Sequence, residues 1–159
     1  AAPGAQPVEV RLAFTNDRRS GLGQPLPAGR VRVFEADGAL LGEASLGHTA
    51  AGSPVELSLG TVFDLSAERR QASFSLDRSG RTLTESFEVV LRNAKPEAAT
   101  VRVLEVMPRW TDWEITEASG RWTQVDGQSA RFDVAVPAGG EATLRYTVRY
   151  RWAPDVRIP

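Results

Sequence analysis

The stretch that decides the fold is residues 141–152, which reads Glu-Ala-Thr-Leu-Arg-Tyr-Thr-Val-Arg-Tyr-Arg-Trp. Every second residue is apolar, and successive side chains of a β-strand point to opposite faces, so this alternation predicts a half-buried strand. Its predicted inner face consists of Ala142, Leu144, Tyr146, Val148, Tyr150 and Trp152. Its outer face carries Arg145, Arg149 and Arg151, which we expect to be solvated and to meet acidic residues of neighbouring strands.

The same period of two recurs along most of the chain and predicts about ten strands. They are expected at residues 8–14, 30–34, 40–46, 55–59, 87–91, 101–107, 113–115, 122–125, 130–136 and 141–152. Turn signals such as Asp37-Gly38 and Asp126-Gly127 separate them at intervals of roughly eight to twelve residues. The alternation is weak over 61–76, which suits an edge strand, and a helical turn is allowed only near Asp64–Glu68.

Each amphipathic strand has to bury one face, and stacked antiparallel sheets do this without helices. The sequence therefore predicts an all-β protein, an antiparallel β-sandwich with essentially no helix. Residues 1–64 are expected to form an N-terminal β subdomain, and residues 65–159 an immunoglobulin-like sandwich. No flexible linker marks this boundary, so a single domain is the alternative.

One predicted strand breaks the regular alternation. Val101 and Val103 share one face, whereas Leu104 and Val106 share the opposite one. A strand that is buried on both faces would show this change of phase, and so would a β-bulge.

Composition excludes several classes of function. The 159 residues carry a net charge of −1, so no basic field favours binding to nucleic acid. The chain has no cysteine, which excludes disulfides, thiolate chemistry and cysteine-based zinc sites. No run approaches the roughly 18 apolar residues of a membrane helix, so we expect no membrane insertion by this segment.

Residues that suit catalysis or metal binding are sparse. His48 is the single histidine, and no Gly-x-Ser-x-Gly motif accompanies it, so we expect a turn histidine bonded to backbone; a hydrolase that uses His48 is the weaker alternative. Asp112, Glu114 and Glu117 come nearest to a calcium site but lack the loop pattern, which favours a solvated strand face. The sequence predicts no enzyme activity, no metal and no cofactor.

Four tryptophans lie in the last third of the chain. Trp113 and Trp152 fall on the apolar phase of their strands and are expected in the core. Trp110 and Trp122 follow Arg109 and Arg121, and an exposed tryptophan beside arginine suits stacking on a sugar or a peptide. These four residues, Arg109, Trp110, Arg121 and Trp122, are the candidate binding residues, and a protein or a glycan is the candidate partner. The alternative is that both tryptophans cap the open ends of the sandwich.

Several segments together resemble the C-terminal β-rich part of bacterial proteins with the domain of unknown function 4139, also labelled mucoidy-inhibitor-like. They are Gly21–Gly29 with Arg30–Phe34, Ala67–Gln71, Glu85–Asn93, Trp113–Ile115 and Val136–Glu141. The resemblance implies that the chain is a C-terminal part of a longer exported protein, located in the periplasm, the cell envelope or outside the cell. It implies no reaction and no catalytic residues. The expected function is thus a non-catalytic module for protein interaction or spacing, with carbohydrate binding through loop tryptophans as the alternative.

Overall fold

The computed structural model describes residues 5–34 and 38–158, with the side chains of residues 5–7 and 61–63 excepted. These residues form ten β-strands and no helix, so the predicted all-β class and the predicted antiparallel pairing are confirmed. The strands are β1 (Ala5–Thr15), β2 (Gly29–Phe34), β3 (Leu40–Leu46), β4 (Pro54–Asp77), β5 (Thr82–Asn93), β6 (Ala99–Val106), β7 (Trp113–Ala118), β8 (Trp122–Asp126), β9 (Ser129–Val136) and β10 (Glu141–Arg151).

The chain divides into two compact units. One is Pro7–Phe63, and the other, here called the large unit, is built chiefly from Asp64–Pro159. The division falls inside β4, whose second part pairs with β5 from Leu65↔Asn93 to Asp77↔Thr82. The helical turn allowed near Asp64–Glu68 is therefore wrong, because this stretch is extended and its backbone groups join the β4–β5 ladder.

The large unit contains two antiparallel sheets. One comprises β4-β5-β10-β7 of the five-stranded sheet β1-β4-β5-β10-β7, and the other has the order β6-β9-β8. The sheets meet through aromatic side chains, since the ring of Phe132 on β9 lies 5.1 Å from that of Tyr146 on β10. The apolar core of this unit comprises Leu83, Phe87, Val89, Leu91, Val101, Met107, Ala130, Phe132, Val136, Leu144, Tyr146, Val148, Tyr150 and Trp152.

Strand β10 lies between β5 and β7 and confirms the predicted strand phase. Five of its six predicted inner residues are buried and Ala142 is half-buried. The arginines of the outer face pair with acids on both neighbouring strands, as the alternation predicted. Arg145 lies 3.3 Å from Glu88 on β5, and both Arg149 and Arg151 pair with Glu114 on β7.

Strand β6 corrects the prediction made from its change of phase. It pairs with β9 from Ala99↔Val136 to Val106↔Ser129 without a register shift, and Leu104 and Val106 are each 56% exposed. Neither burial on both faces nor a bulge is present. The inward position between them belongs to Glu105, which is buried and paired with Arg69 of β4 at 3.0 Å. A polar residue therefore occupies a core position, and two apolar residues occupy the surface.

In the smaller unit, β1 pairs with the first part of β4, and β2 pairs with β3 as a hairpin. Asp37 of the predicted turn and residues 1–4 lie outside the described residues; the first strand begins at Ala5, before its predicted start at residue 8. Buried Asn16 organises the long connection after β1, since its Nδ2 donates to the carbonyl oxygens of Gln24 and Ala50.

Candidate functional site

A cleft of about 480 Å³ in the large unit brings two of the four predicted binding residues together. It is lined by Arg109, Trp110, Trp152, Arg157 and Ile158, and we call it the Trp110 cleft. The rings of Trp110 and Trp152 stack at a centroid distance of 6.4 Å and an interplanar angle of 27°. Trp152 is buried, as predicted, whereas Trp110 is half-buried, so the indole of Trp110 forms the accessible part of this aromatic pair.

Arg109 is held by a buried carboxylate. Its Nε and Nη2 donate to the two oxygens of Glu85 at 2.8 and 3.0 Å, and this hydrogen bonding raises the pKa of Arg109. Its guanidinium also lies 5.3 Å from the ring centre of Phe74. A bidentate pair fixes an arginine in both position and orientation. Arg109 therefore acts as a rigid wall of the cleft, with its charge largely balanced by Glu85.

The C-terminal segment supplies the other side of the cleft. Arg81 donates from Nε to the carbonyl oxygen of Trp152 at 3.1 Å and from Nη2 to those of Ala153, at 2.7 Å, and Val156. The backbone N–H of Trp152 in turn donates to the carbonyl oxygen of Arg81 at 3.0 Å. These bonds fold the chain back after β10, which places Arg157 and Ile158 beside the tryptophan pair.

A second buried ion pair lies between the two sheets. Arg69 donates to both carboxylate oxygens of Glu105 at 3.1 and 3.0 Å, and its guanidinium stacks 3.9 Å from the ring centre of Phe87. Burial, followed by the nearby charge of Glu105, raises the pKa of Tyr146 well above its usual value. Burial, followed by the charge of Glu85, raises the pKa of Tyr150 to about 12.

Sequence reasoning missed both buried glutamates, Glu85 and Glu105. Each occupies the inward phase of its strand, as the burial of Phe87 and Val101 two and four residues away shows. The available signal was an acidic residue on the same face of the strand as the apolar residues, because a charge at such a position is buried and needs a partner.

Trp122 and Arg121 do not line the Trp110 cleft. Trp122 stands opposite Phe132 in the β8–β9 ladder, and its ring lies 6.4 Å from that of Trp113 on β7. Trp113 is half-buried, and its Nε1 donates to the carbonyl oxygen of Gly127 at 2.9 Å. Because β7 and β8 are end strands of different sheets, this pair of indoles bridges the two sheets at one edge.

His48 and the Glu114 carboxylate have structural partners. His48 is exposed and its Nδ1 accepts the backbone N–H of Ala28 at 3.3 Å. Hydrogen bonding to Arg149 lowers the pKa of Glu114, and the backbone carbonyl of Asp112 accepts the N–H of Arg151. Across residues 5–34 and 38–158, no group of three or more His, Cys, Asp or Glu is arranged to hold a metal ion.

A second hollow, of about 370 Å³, lies over the face of β5 and β10 that carries Ser86, Glu88, Arg145 and Thr147. The hydroxyls of Ser86 and Thr147 are joined there by a 2.7 Å hydrogen bond, and Glu88, Glu117 and Arg145 lie around them. Its lining also includes Phe87 and Tyr146, and Arg145 donates to Glu88 at 3.3 Å, so Arg145 and Glu88 already have partners within the chain.

Comparison with protein-family models, with curated proteins and with solved structures finds no match to this chain. In the part of the chain that the structure describes, no helix has the length and the apolar character needed to cross a membrane. The geometry of the Trp110 cleft is therefore the basis on which a function can be inferred.

Proposed function

We propose that this protein is a non-catalytic interaction module of an exported bacterial protein and that its Trp110 cleft binds a segment of a partner protein. The large unit would be an immunoglobulin-like sandwich, a proposal supported by two antiparallel sheets that face each other through Phe132 and Tyr146. Location in the periplasm, the cell envelope or outside the cell, and kinship with the mucoidy-inhibitor-like proteins, are proposals that rest on the sequence segments given above.

The observation that carries the proposal is the pre-organised chemistry of the cleft. Trp110 offers a half-buried ring supported by Trp152, and Arg109 is fixed by Glu85. Ile158 adds an aliphatic surface and Arg157 a cation. Aromatic and arginine side chains that are held rigid lose little entropy on association, which is why they dominate the binding energy of protein interfaces. An extended segment with an apolar side chain next to a carboxylate fits this lining.

The proposal is tested by selecting binders from a library of displayed random peptides on the full chain. We expect enrichment of sequences with an apolar and an acidic residue, whose affinity falls about tenfold in Trp110→Ala. Trp122→Ala is the matched control, because that indole lies outside the cleft, and it should bind like the wild type. Equal binding by both variants would refute the assignment. Turnover of an ester, glycoside or peptide substrate, lost on one substitution, would refute the non-catalytic proposal.

The second candidate is carbohydrate binding at the same cleft. The half-buried indole of Trp110 is suited to stack on a sugar ring, and Arg157 to donate to its hydroxyls or to a uronic carboxylate. A glycan array decides between the candidates, with Trp110→Ala and Trp122→Ala printed beside the wild type. A glycan signal that disappears in Trp110→Ala, together with a shift in tryptophan fluorescence, favours carbohydrate binding. Absence of both removes this candidate.

A further inference from the structure

The outer face of the β6-β9-β8 sheet carries apolar side chains that no described residue covers. Leu104 and Val106 of β6 are each 56% exposed, and Val125 of β8 is 54% exposed. Scattered exposed apolar residues are common, but neighbouring ones on a single sheet face indicate a contact surface. Leu104 and Val106 lie two residues apart and so share a face. We call Arg102, Leu104, Val106, Thr123, Arg131 and Asp133, which register places on one side of the sheet, the Arg131 face.

Arg131 lies in the middle of this face. It stands opposite Leu104 on β6 and opposite Thr123 on β8, and opposed residues of antiparallel strands share a face. Its Nε is buried and has no hydrogen-bond partner among the described residues. Its ion pair with Asp133 is long, at 3.9 Å, and Asp133 also faces Arg102 at 3.5 Å. Two arginines thus share one aspartate on this face, and the side chain of Arg131, which is 35% exposed, stands between Leu104 and Thr123 with an incomplete acidic partner.

Strand β6 also has an open edge. It is an end strand of its sheet, and within residues 5–34 and 38–158 β9 is its single ladder partner. Alternate residues of an end strand direct their N–H and C=O groups away from the sheet, where another extended chain can pair with them. Side chains of the added strand would alternate between the two faces of the sheet, and those on the outer face would lie next to Leu104 and Val106.

The size of the surface limits the occupant. Three half-exposed aliphatic side chains fall far below the roughly 800 Å² per partner that a stable dimer buries. A second copy of the chain is therefore a poor fit. A single added strand is small enough, because its main-chain hydrogen bonds provide affinity and its outer side chains provide selectivity.

We propose that β6 docks an extended segment of a partner protein, which adds as a strand at the open edge and carries a carboxylate flanked by aliphatic side chains. The aliphatic side chains cover Leu104 and Val106, and the carboxylate reaches across β6 to the guanidinium of Arg131. This charge complementarity distinguishes the segment from neutral or basic ones of equal hydrophobicity. The site is separate from the Trp110 cleft and does not depend on the function proposed for that cleft.

The test uses the full chain labelled with ¹⁵N and two end-blocked peptides, one alternating valine with glutamate and the other valine with lysine. The glutamate peptide should shift the amide signals of Leu104, Val106 and Arg131 and slow hydrogen exchange along β6. The lysine peptide should bind about tenfold more weakly. Arg131→Gln should abolish that preference, and Leu104→Ser should weaken binding of both peptides.

Two controls isolate the surface. Arg92→Gln removes an exposed arginine of the other sheet, and Trp110→Ala disables the cleft; neither should change the shifts that the glutamate peptide causes at Leu104, Val106 and Arg131, whatever the cleft itself binds. Absence of shifts at β6 at millimolar peptide, equal binding of the two peptides, or shifts confined to another face would overturn the proposal. Concentration-dependent self-association that Leu104→Ser abolishes would assign the face to a second copy and would also overturn it.

Discussion

Glu85 and Glu105 are buried carboxylates in the large unit; Glu85 accepts from Nε and Nη2 of Arg109, and both oxygens of Glu105 accept from Nε of Arg69. Burial of an unpaired charge is costly, so each glutamate requires its partner. Arg69 reaches from β4 to β6, and Arg109 reaches from the loop after β6 to β5. The Arg69–Glu105 pair joins the two sheets, and the Arg109–Glu85 pair ties the loop between β6 and β7 to β5, so we infer that both ion pairs help to fix how the sheets face each other.

Removal of Arg109 should leave Glu85 buried without its main partner. We expect Arg109→Met to lower the free energy of unfolding by about 2 kcal/mol, less than the full cost of a broken buried pair because the arginine is partly exposed. Urea denaturation measures the change, and Arg145→Met, in a surface pair, should change it by less than about 1 kcal/mol. Adding Glu85→Gln to Arg109→Met should recover part of the loss; no recovery would contradict this account.

The two tyrosines predict how stability depends on alkaline pH. Burial raises the pKa of Tyr150 to about 12 and raises that of Tyr146 as well, relative to about 10 in the unfolded chain. The folded state therefore retains protons that the unfolded state releases. The stability they contribute is fully present below about pH 10 and is lost as the pH rises through the folded values.

Because the chain has two tyrosines in all, tyrosinate absorbance reports directly on the ionisation of Tyr146 and Tyr150. Tyrosinate absorbance should appear only together with loss of near-ultraviolet circular dichroism, because ionisation and unfolding are coupled. The urea midpoint should fall between about pH 10 and pH 12. A Tyr146→Phe, Tyr150→Phe double variant should show a shallower fall. Tyrosinate that forms at about pH 10 in a folded protein would show that the hydroxyls are accessible.

At the scale of the element, β10 is a central strand whose inner face carries much of the core. Tyr146 contacts Phe87 and Phe132 at ring distances of 5.5 and 5.1 Å. Tyr146→Asp should destabilise the large unit by several kcal/mol, comparable with the whole stability of a domain, because it buries a charge among aromatic rings. Thermal denaturation measures this effect. Arg151→Ser, on the exposed face, is the control, and equal melting temperatures for the two variants would contradict the strand phase.

Strand β3 packs closely against β4 at Gly42. A Cβ placed on this residue would lie 2.7 Å from the carbonyl oxygen of Leu59 and 3.0 Å from its Cβ. Gly42→Ala should therefore cost about 1–3 kcal/mol through overpacking. Gly47→Ala is the matched control, since no atom lies within 4 Å of a Cβ there. If chemical denaturation finds the two variants equally stable, the close approach of β3 to β4 is wrong.

The strands themselves were predictable because most have one apolar face, and this period of two is a local property of sequence. Strand β10 is the best example. The sequence did not reveal that β10 inserts between β5 and β7, or that Arg109 pairs with Glu85, since both depend on contacts distant in sequence. The phase of β6 was misread because Glu105 takes an inward position that was assigned to an apolar residue, and its partner Arg69 is distant in sequence.

At the scale of the whole molecule, the predicted domains 1–64 and 65–159 remain a prediction about independent folding. The apolar core, the β6-β9-β8 sheet and both buried ion pairs of the large unit come from residues after Phe63. We therefore expect a fragment comprising residues 64–159 to fold by itself. Far- and near-ultraviolet circular dichroism should show β-structure and ordered tryptophans, with a cooperative melting transition. A fragment without near-ultraviolet signal would favour the single-domain alternative.

Some residues of the Trp110 cleft could be predicted from the sequence, and others could not. Arg109 and Trp110 are neighbours in sequence, and an arginine beside a tryptophan in a loop indicated a binding surface. Arg157 and Ile158 joined the cleft only because Arg81, far away in sequence, holds the segment between them and β10. Trp122 showed the same local pattern as Trp110, but its position on an end strand placed it against Trp113 instead.

The central position of β10 has a mechanical consequence. All eleven of its residues are in register with β5, and it is bonded on its other side to β7. Tension applied through Trp152 along the strand loads both ladders in shear, so many hydrogen bonds must fail together rather than one after another. Resistance to such a load depends on the rate of unfolding and not on equilibrium stability. The large unit is therefore built as a stiff anchor when it is pulled from the end of β10.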